Sequence, residues 1–521
     1  MTENIFHDER SSLLSSQERQ TLYPGHGDSQ IYAGDETNPT KNLSKQAVSD
    51  EADSRSPIEG EIIEYDILLD SDVTPEAATT GRNLNWSSAY IIIASRMLGT
   101  GVFATPGSIL KSVGSPGLSI LLWIAGGLLA ASGLAVSMEL GCMLPRSGGD
   151  KVYLEFIYRR PRFLASILIA AQTILLSSTA GNCTIFGEYV LYALGIEPTA
   201  FQQRSLALGL LFAICFTHSV FRRTGILIQN ALGWIKIGLM IFMVLTGLVV
   251  VLRHPPAKYP SPSTLFADSI YTPSALAAAS FKISYAFAGF NNINNVLNEV
   301  RNPVQTLKSA APLALLSISL SFLLLNIAYF LVVPLSTIKS SGDMVAALYL
   351  TSIFGPSVGH TLLPLMIAIS AAGNVMVVTF TLARVNQEIA RTGVLPLPPL
   401  IASFLSSSKP FGSPMGGFLI HFIPTALVIT LPPPGEVYTF ILDVESYPIQ
   451  IVALATSAGL LWLRAKRPDL KRPFLAWRPA VWLRILFCLA LVLAPFFPPE
   501  DGIGDVTFTW YGTYALVGIL M

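Results

Sequence analysis

The chain has 521 residues, 51% hydrophobic and only 13% charged, with a mean hydropathy of +0.54 and no net formal charge. A soluble domain carries about 25% charged residues, so a water-soluble globular protein is excluded and a polytopic membrane protein is indicated. The zero net charge hides a split: residues 1–85 hold 17 acidic and 6 basic side chains, and the remainder holds 16 and 27.

Residues 1–85 are rich in Ser, Thr, Asp, Glu and Gly, show no lasting apolar period, and read as a disordered tail. No apolar core follows a basic start, so no cleaved signal peptide is expected. Within the tail, Glu59–Asp72 mixes acids with Ile62, Ile63, Tyr65, Ile67, Leu68 and Leu69. Such mixing marks a docking peptide, with a ubiquitin-ligase adaptor as the expected partner. A plain solvated tail is the alternative.

From Ser87 onward there are about twelve apolar runs of bilayer length, near 87–110, 117–141, 162–194, 205–221, 225–252, 275–299, 310–334, 357–390, 414–432, 436–463, 479–497 and 507–521. Asp343–Phe354 reads as a short amphipathic helix on the outer surface. With the tail inside, the inner loops hold 17 Lys and Arg against 5 in the outer loops. This bias predicts a cytosolic N-terminus. Cys142, Cys183, Cys215 and Cys488 lie in or beside apolar runs at spacings that suit neither a disulfide nor a metal site.

The first span is interrupted at Ser95–Pro106, which contains Gly99, Thr100 and Gly101. Unpaired backbone is tolerated at membrane depth only where it lines a protein cavity, although a glycine pair can also serve close helix packing. The sixth span settles the balance. Ala288 and Gly289 precede five asparagines: Asn291, Asn292, Asn294, Asn295 and Asn298. Asn competes for backbone hydrogen bonds and favours unwinding. Matching interruptions five spans apart point to an inverted-repeat transporter site. Lys236 lies deep in the fifth span and is a functional candidate by depth alone. Glu139, Glu299 and Arg384 are candidate inner-gate groups, with Arg96 and Arg301 as further cationic partners for the two glutamates. No nucleophile–base constellation appears, so an enzyme is not expected.

Gly99-Thr100-Gly101-Val102-Phe103 resembles the Gly-Ser/Thr-Gly-Ile-Phe motif of the amino acid–polyamine–organocation superfamily. Glu139 followed by Leu144-Pro145-Arg146-Ser147-Gly148-Gly149 resembles its second-helix and first-loop signature. Ala286–Pro303 is similar to the sixth helix of the L-type amino acid transporter family. Ala104-Thr105-Pro106 and Phe290-Asn291-Asn292 carry a finer match to its fungal methionine permease group. The Asn-rich sixth helix departs from the Gly-Trp of animal members.

The resemblance implies an all-α fold with a five-plus-five inverted repeat, roughly 87–252 and 275–463, with helices 1 and 6 broken and two further helices over 479–521. It implies a plasma-membrane symporter of protons and methionine or a related neutral amino acid, without cofactor, metal or nucleic acid. A neutral amino acid exchanger on an internal membrane and a non-transporting sensor are the rivals. It also implies that the substrate carboxylate meets backbone N–H groups of Thr100, Gly101 and Val102 beside Gly99. The ammonium meets carbonyls near Ser95, Arg96, Met97, Tyr285, Ala286 and Ala288. Tyr285 or Phe287 gates the outer side, Phe290 and Asn291 line the pocket, and Lys236 is a coupling or structural cation.

Overall fold

The computed structural model describes residues 81–493, apart from residues 100, 162, 254–264, 342–344, 396–397 and 432–435. The acidic tail and the expected span 507–521 therefore lie outside the described residues. What is described is helical, with one isolated parallel bridge between Leu84 and Val300.

The first half contains α1 (Trp86–Met97), α2 (Gly101–Val113), α3 (Pro116–Met143), α4 (Asp150–Ile157), α5 (Leu164–Ala171), α6 (Ala180–Ala193), α7 (Ala200–Val220) and α8 (Arg222–Arg253). The second contains α9 (Pro273–Ala286), a 3-10 segment (Asn292–Glu299), α10 (Pro303–Val332), α11 (Leu335–Ser341), α12 (Val345–Phe354), α13 (Pro356–Arg391), α14 (Pro399–Ser406), α15 (Met415–Thr430), α16 (Glu436–Lys466) and α17 (Arg478–Leu493). Local sequence explains many starts. Asn85 accepts from Ser88 N–H at 2.8 Å to cap α1. Pro116 and Pro303 occupy first-turn positions, where a missing N–H costs nothing. Thr199 and Gln202 form a capping box on α7.

Seven helical stretches among the described residues are long and apolar enough to cross a membrane: Pro116–Met143, Leu164–Ala193, Ala200–Val220, Arg222–Arg253, Pro303–Val332, Thr361–Arg391 and Pro448–Lys466. Much of the difference from twelve has a physical reason. Stretches 87–110 and 275–299 are each interrupted, so neither half reaches bilayer length; α1, with 12 residues, rises about 18 Å. α15 and α17 have 16 residues each. The stretch 162–194 is not one smooth helix. It passes through a π turn (Gln172–Leu176) and leaves helical geometry near Ser177 and Thr179, where the Thr179 hydroxyl pairs with His421 of α15 at 3.2 Å.

α13 is the central element, with 78% of its apolar window buried inside the protein. α1 is buried around its circumference at Ile91, Ile92 and Ile93, as expected of a helix apolar on every face. α12 buries one face against the bundle and leaves the other more open. Its Val345, Ala346, Tyr349 and Leu350 are buried, and Tyr349 donates to the Met243 carbonyl of α8 at 2.6 Å.

Candidate functional site

α1 stops at Met97. Leu98 and Gly99 fold back, with Gly99 N–H donating to Met97 O at 2.8 Å. A helix end leaves its last carbonyls without intrahelical donors, and here α8 and α13 supply them. Lys236 Nζ donates to Ser95 O at 2.6 Å and to Ser95 Oγ at 3.2 Å. Asn374 Nδ2 donates to Arg96 O at 3.2 Å, and Ser370 Oγ to Leu98 O at 3.0 Å. Arg96 Nη1 in turn donates to Asn374 Oδ1 at 2.9 Å. Lys236 is 3% exposed, so its ammonium points inward and does not snorkel to an interface. Thr100 lies outside the described residues.

The second interruption begins after Ala286. Gly289 has φ +100°, and a Cβ there would stand 2.0 Å from Arg96 Cγ. Glycine is required both by the backbone and by this approach. A Cβ on Gly101 would lie 3.4 Å from the Tyr285 ring and 3.5 Å from Ala286 Cα. The two interruptions therefore pack against each other at Arg96–Gly289 and at Gly101–Tyr285. Val102, Ala286 and Phe287 are buried, and Tyr285 is 54% exposed. Beyond Gly289 the chain forms a 3-10 segment, with non-helical geometry at Val296. Its asparagines bind several neighbours: Asn294 donates to Ser137 O, Asn292 accepts from Thr381 Oγ1 and Asn298 accepts from Ser147; Asn291, just before the segment, donates to Asp150.

A cavity of about 270 Å³ opens beside this junction. Arg96, Phe287, Ala288, Phe290 and Asn291 line it from the expected set, and Asp150 and Arg484 join them. Gly101, Val102 and Tyr285 stand outside it. Burial pushes the Asp150 carboxyl up to about 6, opposed by the Arg484 charge and the Asn291 hydrogen bond. The Arg484 guanidinium stands 5.6 Å over the Phe290 ring.

Residues 84–521 match the family described as "Amino acid permease". The chain belongs to the amino acid permease family. It is 36% identical to the high-affinity methionine permease of Saccharomyces cerevisiae over 81% of this chain and 74% of the relative. It is 32% identical to the low-affinity methionine permease of the same yeast over 80% and 77%. It is 25% identical to the human b(0,+)-type amino acid transporter 1 over 86% and 87%. Amino acid transport is the activity these relationships support.

Two buried ion pairs flank the permease's junction. Arg384 Nε donates to Glu299 Oε1 at 2.9 Å, with both side chains 4% exposed, and the guanidinium lies 3.6 Å over the Phe380 ring. Glu139 is fully buried and binds Arg464, Arg472 (3.4 Å) and the Ala476 N–H (2.8 Å). Glu139 thus does not pair with Arg96, because Arg96 is turned toward α13 and Asn374 while the end of α16 brings Arg464 alongside α3. Nor does Arg301 pair with either glutamate; it donates to Arg82 O at 3.1 Å.

Sequence reasoning missed Ser370, Asn374, Asp150 and Arg484. A signal existed for two of them: Asn374 is an isolated amide in an apolar run, and Arg484 is an isolated cation in another.

Proposed function

We propose that this permease is a secondary active transporter of L-amino acids at the plasma membrane, with its N-terminus in the cytosol. It couples uptake of methionine or a related neutral amino acid to protons. In this reading about twelve spans form a five-plus-five inverted repeat, and spans one, two, six and seven rock against the rest.

One observation carries the reading: two interrupted helices pack against each other at Arg96–Gly289, beside a cavity of about 270 Å³. The first N–H groups of α2, at Gly101 and Val102, have no intrahelical acceptors and lie at the positive end of a helix. They suit a carboxylate, with Thr100 completing the set. The substrate ammonium takes the released carbonyls of both breaks. Those of Ser95 and Arg96 already accept from Lys236 and Asn374, so more of this role falls to Met97, Tyr285, Ala286 and Ala288. Lys236 acts as a fixed cation that holds the first break. Tyr285 gates the outer side, Phe290 and Asn291 shape the pocket, and Glu139, Glu299 and Arg384 hold the inner side. The two yeast relatives support methionine as cargo.

The test is uptake of labelled methionine by cells that lack their own permeases, at two external pH values. Higher uptake at the more acidic pH is expected. Uptake that ignores pH removes proton coupling, and no uptake with intact surface expression removes transport.

A further inference from the structure

Asp150 opens α4, and the two glycines before it are strapped to the 3-10 segment of the second interrupted helix. Gly148 N–H donates to Asn295 O and Gly149 N–H to Asn294 O, both at 3.2 Å. Gly149 has φ +53°, and a Cβ there would lie 2.2 Å from Asn295 Oδ1. The Asp150 carboxylate also accepts from the Asn291 amide at 3.4 Å. Its position is therefore tied to that segment through backbone and side chain together.

Among the described residues, Asp150 is the one carboxylate that lines the cavity. Nearby acids are committed to ion pairs: Glu155 to Lys151, Glu388 to Arg391, Glu299 to Arg384, and Glu139 to Arg464 and Arg472. Asp150 has no such partner within 4.0 Å among the described residues. The charged and titratable groups around it are Arg484 from α17, Arg96 from α1, and Lys151 and Tyr153 on its own helix, with Cys142 of α3 next to Tyr153. Asn291 just before the 3-10 segment, Asn292 and Asn295 within it, Gln172 of the π turn and Gln450 of α16 contribute neutral amides. α13 contributes apolar Leu382 and Val385, with Glu388 beyond Gly148.

We propose that Asp150 is the proton-binding site of the transport cycle, and that its charge state reaches the second interrupted helix through Asn291 and the Gly148–Gly149 strap. The proposal rests on the proton-coupled reading above. Ionised, the carboxylate attracts Arg484 and holds the Asn291 amide. Protonated, it becomes an O–H donor and releases Arg484 over Phe290, free to meet an anionic group. A carboxyl with its midpoint near 6 changes charge across the pH range of an acid-driven symporter.

The full-length permease in proteoliposomes tests this, with labelled methionine accumulation and methionine–methionine exchange measured at about pH 5 and about pH 7.5, on either side of that midpoint. The wild type is expected to accumulate several-fold more at the acidic pH. Asp150→Asn is expected to bring that ratio to one whatever its absolute rate, with methionine–methionine exchange reporting what transport remains, and Asp150→Glu to keep a ratio above one. If Asp150→Asn keeps the wild-type ratio, the assignment of Asp150 is overturned and proton coupling stands. If the wild type itself shows a ratio of one, proton coupling falls and this proposal with it. Arg484→Gln guards against a variant that fails to fold. It leaves the carboxyl in place and removes the opposing charge, so the pH midpoint of uptake moves upward. An unmoved midpoint overturns the proposal.

Discussion

The Lys236 ammonium donates to the Ser95 carbonyl at 2.6 Å, from a side chain that is 3% exposed. This contact joins α8 to the last turn of the first interrupted helix, where the backbone has no donor of its own to offer. Lys236→Met keeps much of the volume and removes the donor. A buried carbonyl left unpaired costs about 1–3 kcal/mol. The expected outcome is loss of methionine uptake with a lowered thermal midpoint in detergent. Unchanged uptake and midpoint would show that the first break does not depend on this cation.

At Gly101 the space is nearly used up. An added Cβ would sit in van der Waals contact with the Tyr285 ring and Ala286 Cα, at 3.4 and 3.5 Å. Gly101→Ala therefore fits and should retain measurable uptake. Gly101→Val adds two further carbons where the interruptions meet, and should abolish uptake while the protein still reaches the membrane. Surface labelling alongside uptake separates a blocked site from a misfolded chain, and normal uptake by Gly101→Val would refute the site.

Both interruptions were legible in the sequence because their residues are costly at membrane depth. A Gly-Thr-Gly run and five clustered asparagines have no reason to face lipid. What holds them open was not legible. Ser370 and Asn374 lie more than 270 residues beyond the carbonyls they cap, and an alternation of apolar runs does not say which helices become neighbours. The same limit explains Glu139. Its depth marked it as paired, but depth alone cannot distinguish Arg96 from Arg464. The 3-10 form of Asn292–Glu299 was hidden too, because competition by Asn side chains predicts unwinding and not the geometry that replaces it.

The Glu299–Arg384 pair gives a sharper expectation than its bond lengths alone. Removing one partner strands a buried charge, a loss of about 3–5 kcal/mol. Glu299→Gln and Arg384→Met should each lower the thermal midpoint strongly. The double variant should be less destabilised than the sum of the two, because neither charge is then left alone. Strict additivity in denaturation of the purified variants would mean that the two groups act independently.

Tyr285 and Phe287 both border the second interruption, and their surroundings separate them. The Phe287 ring is 3% exposed and packs against Trp123 and Phe322, with centroids 6.0 and 5.4 Å away. A ring held on two sides is part of the core, and Phe→Ala at such a place costs about 3–5 kcal/mol. Tyr285 is 54% exposed, and its ring rests over Gly101. Phe287 borders the cavity but is clamped by Trp123 and Phe322, so Tyr285 is the freer of the two rings. Tyr285→Ala should leave the thermal midpoint within a degree or two, since surface changes shift stability by only about 0.5 kcal/mol, yet raise the KM for methionine several-fold. Phe287→Ala should lower the midpoint and the surface level before any change in KM is seen. If Tyr285→Ala leaves KM unchanged while Phe287→Ala raises it in a stable protein, the gate belongs to Phe287, and the Trp123–Phe322 cluster must open during transport.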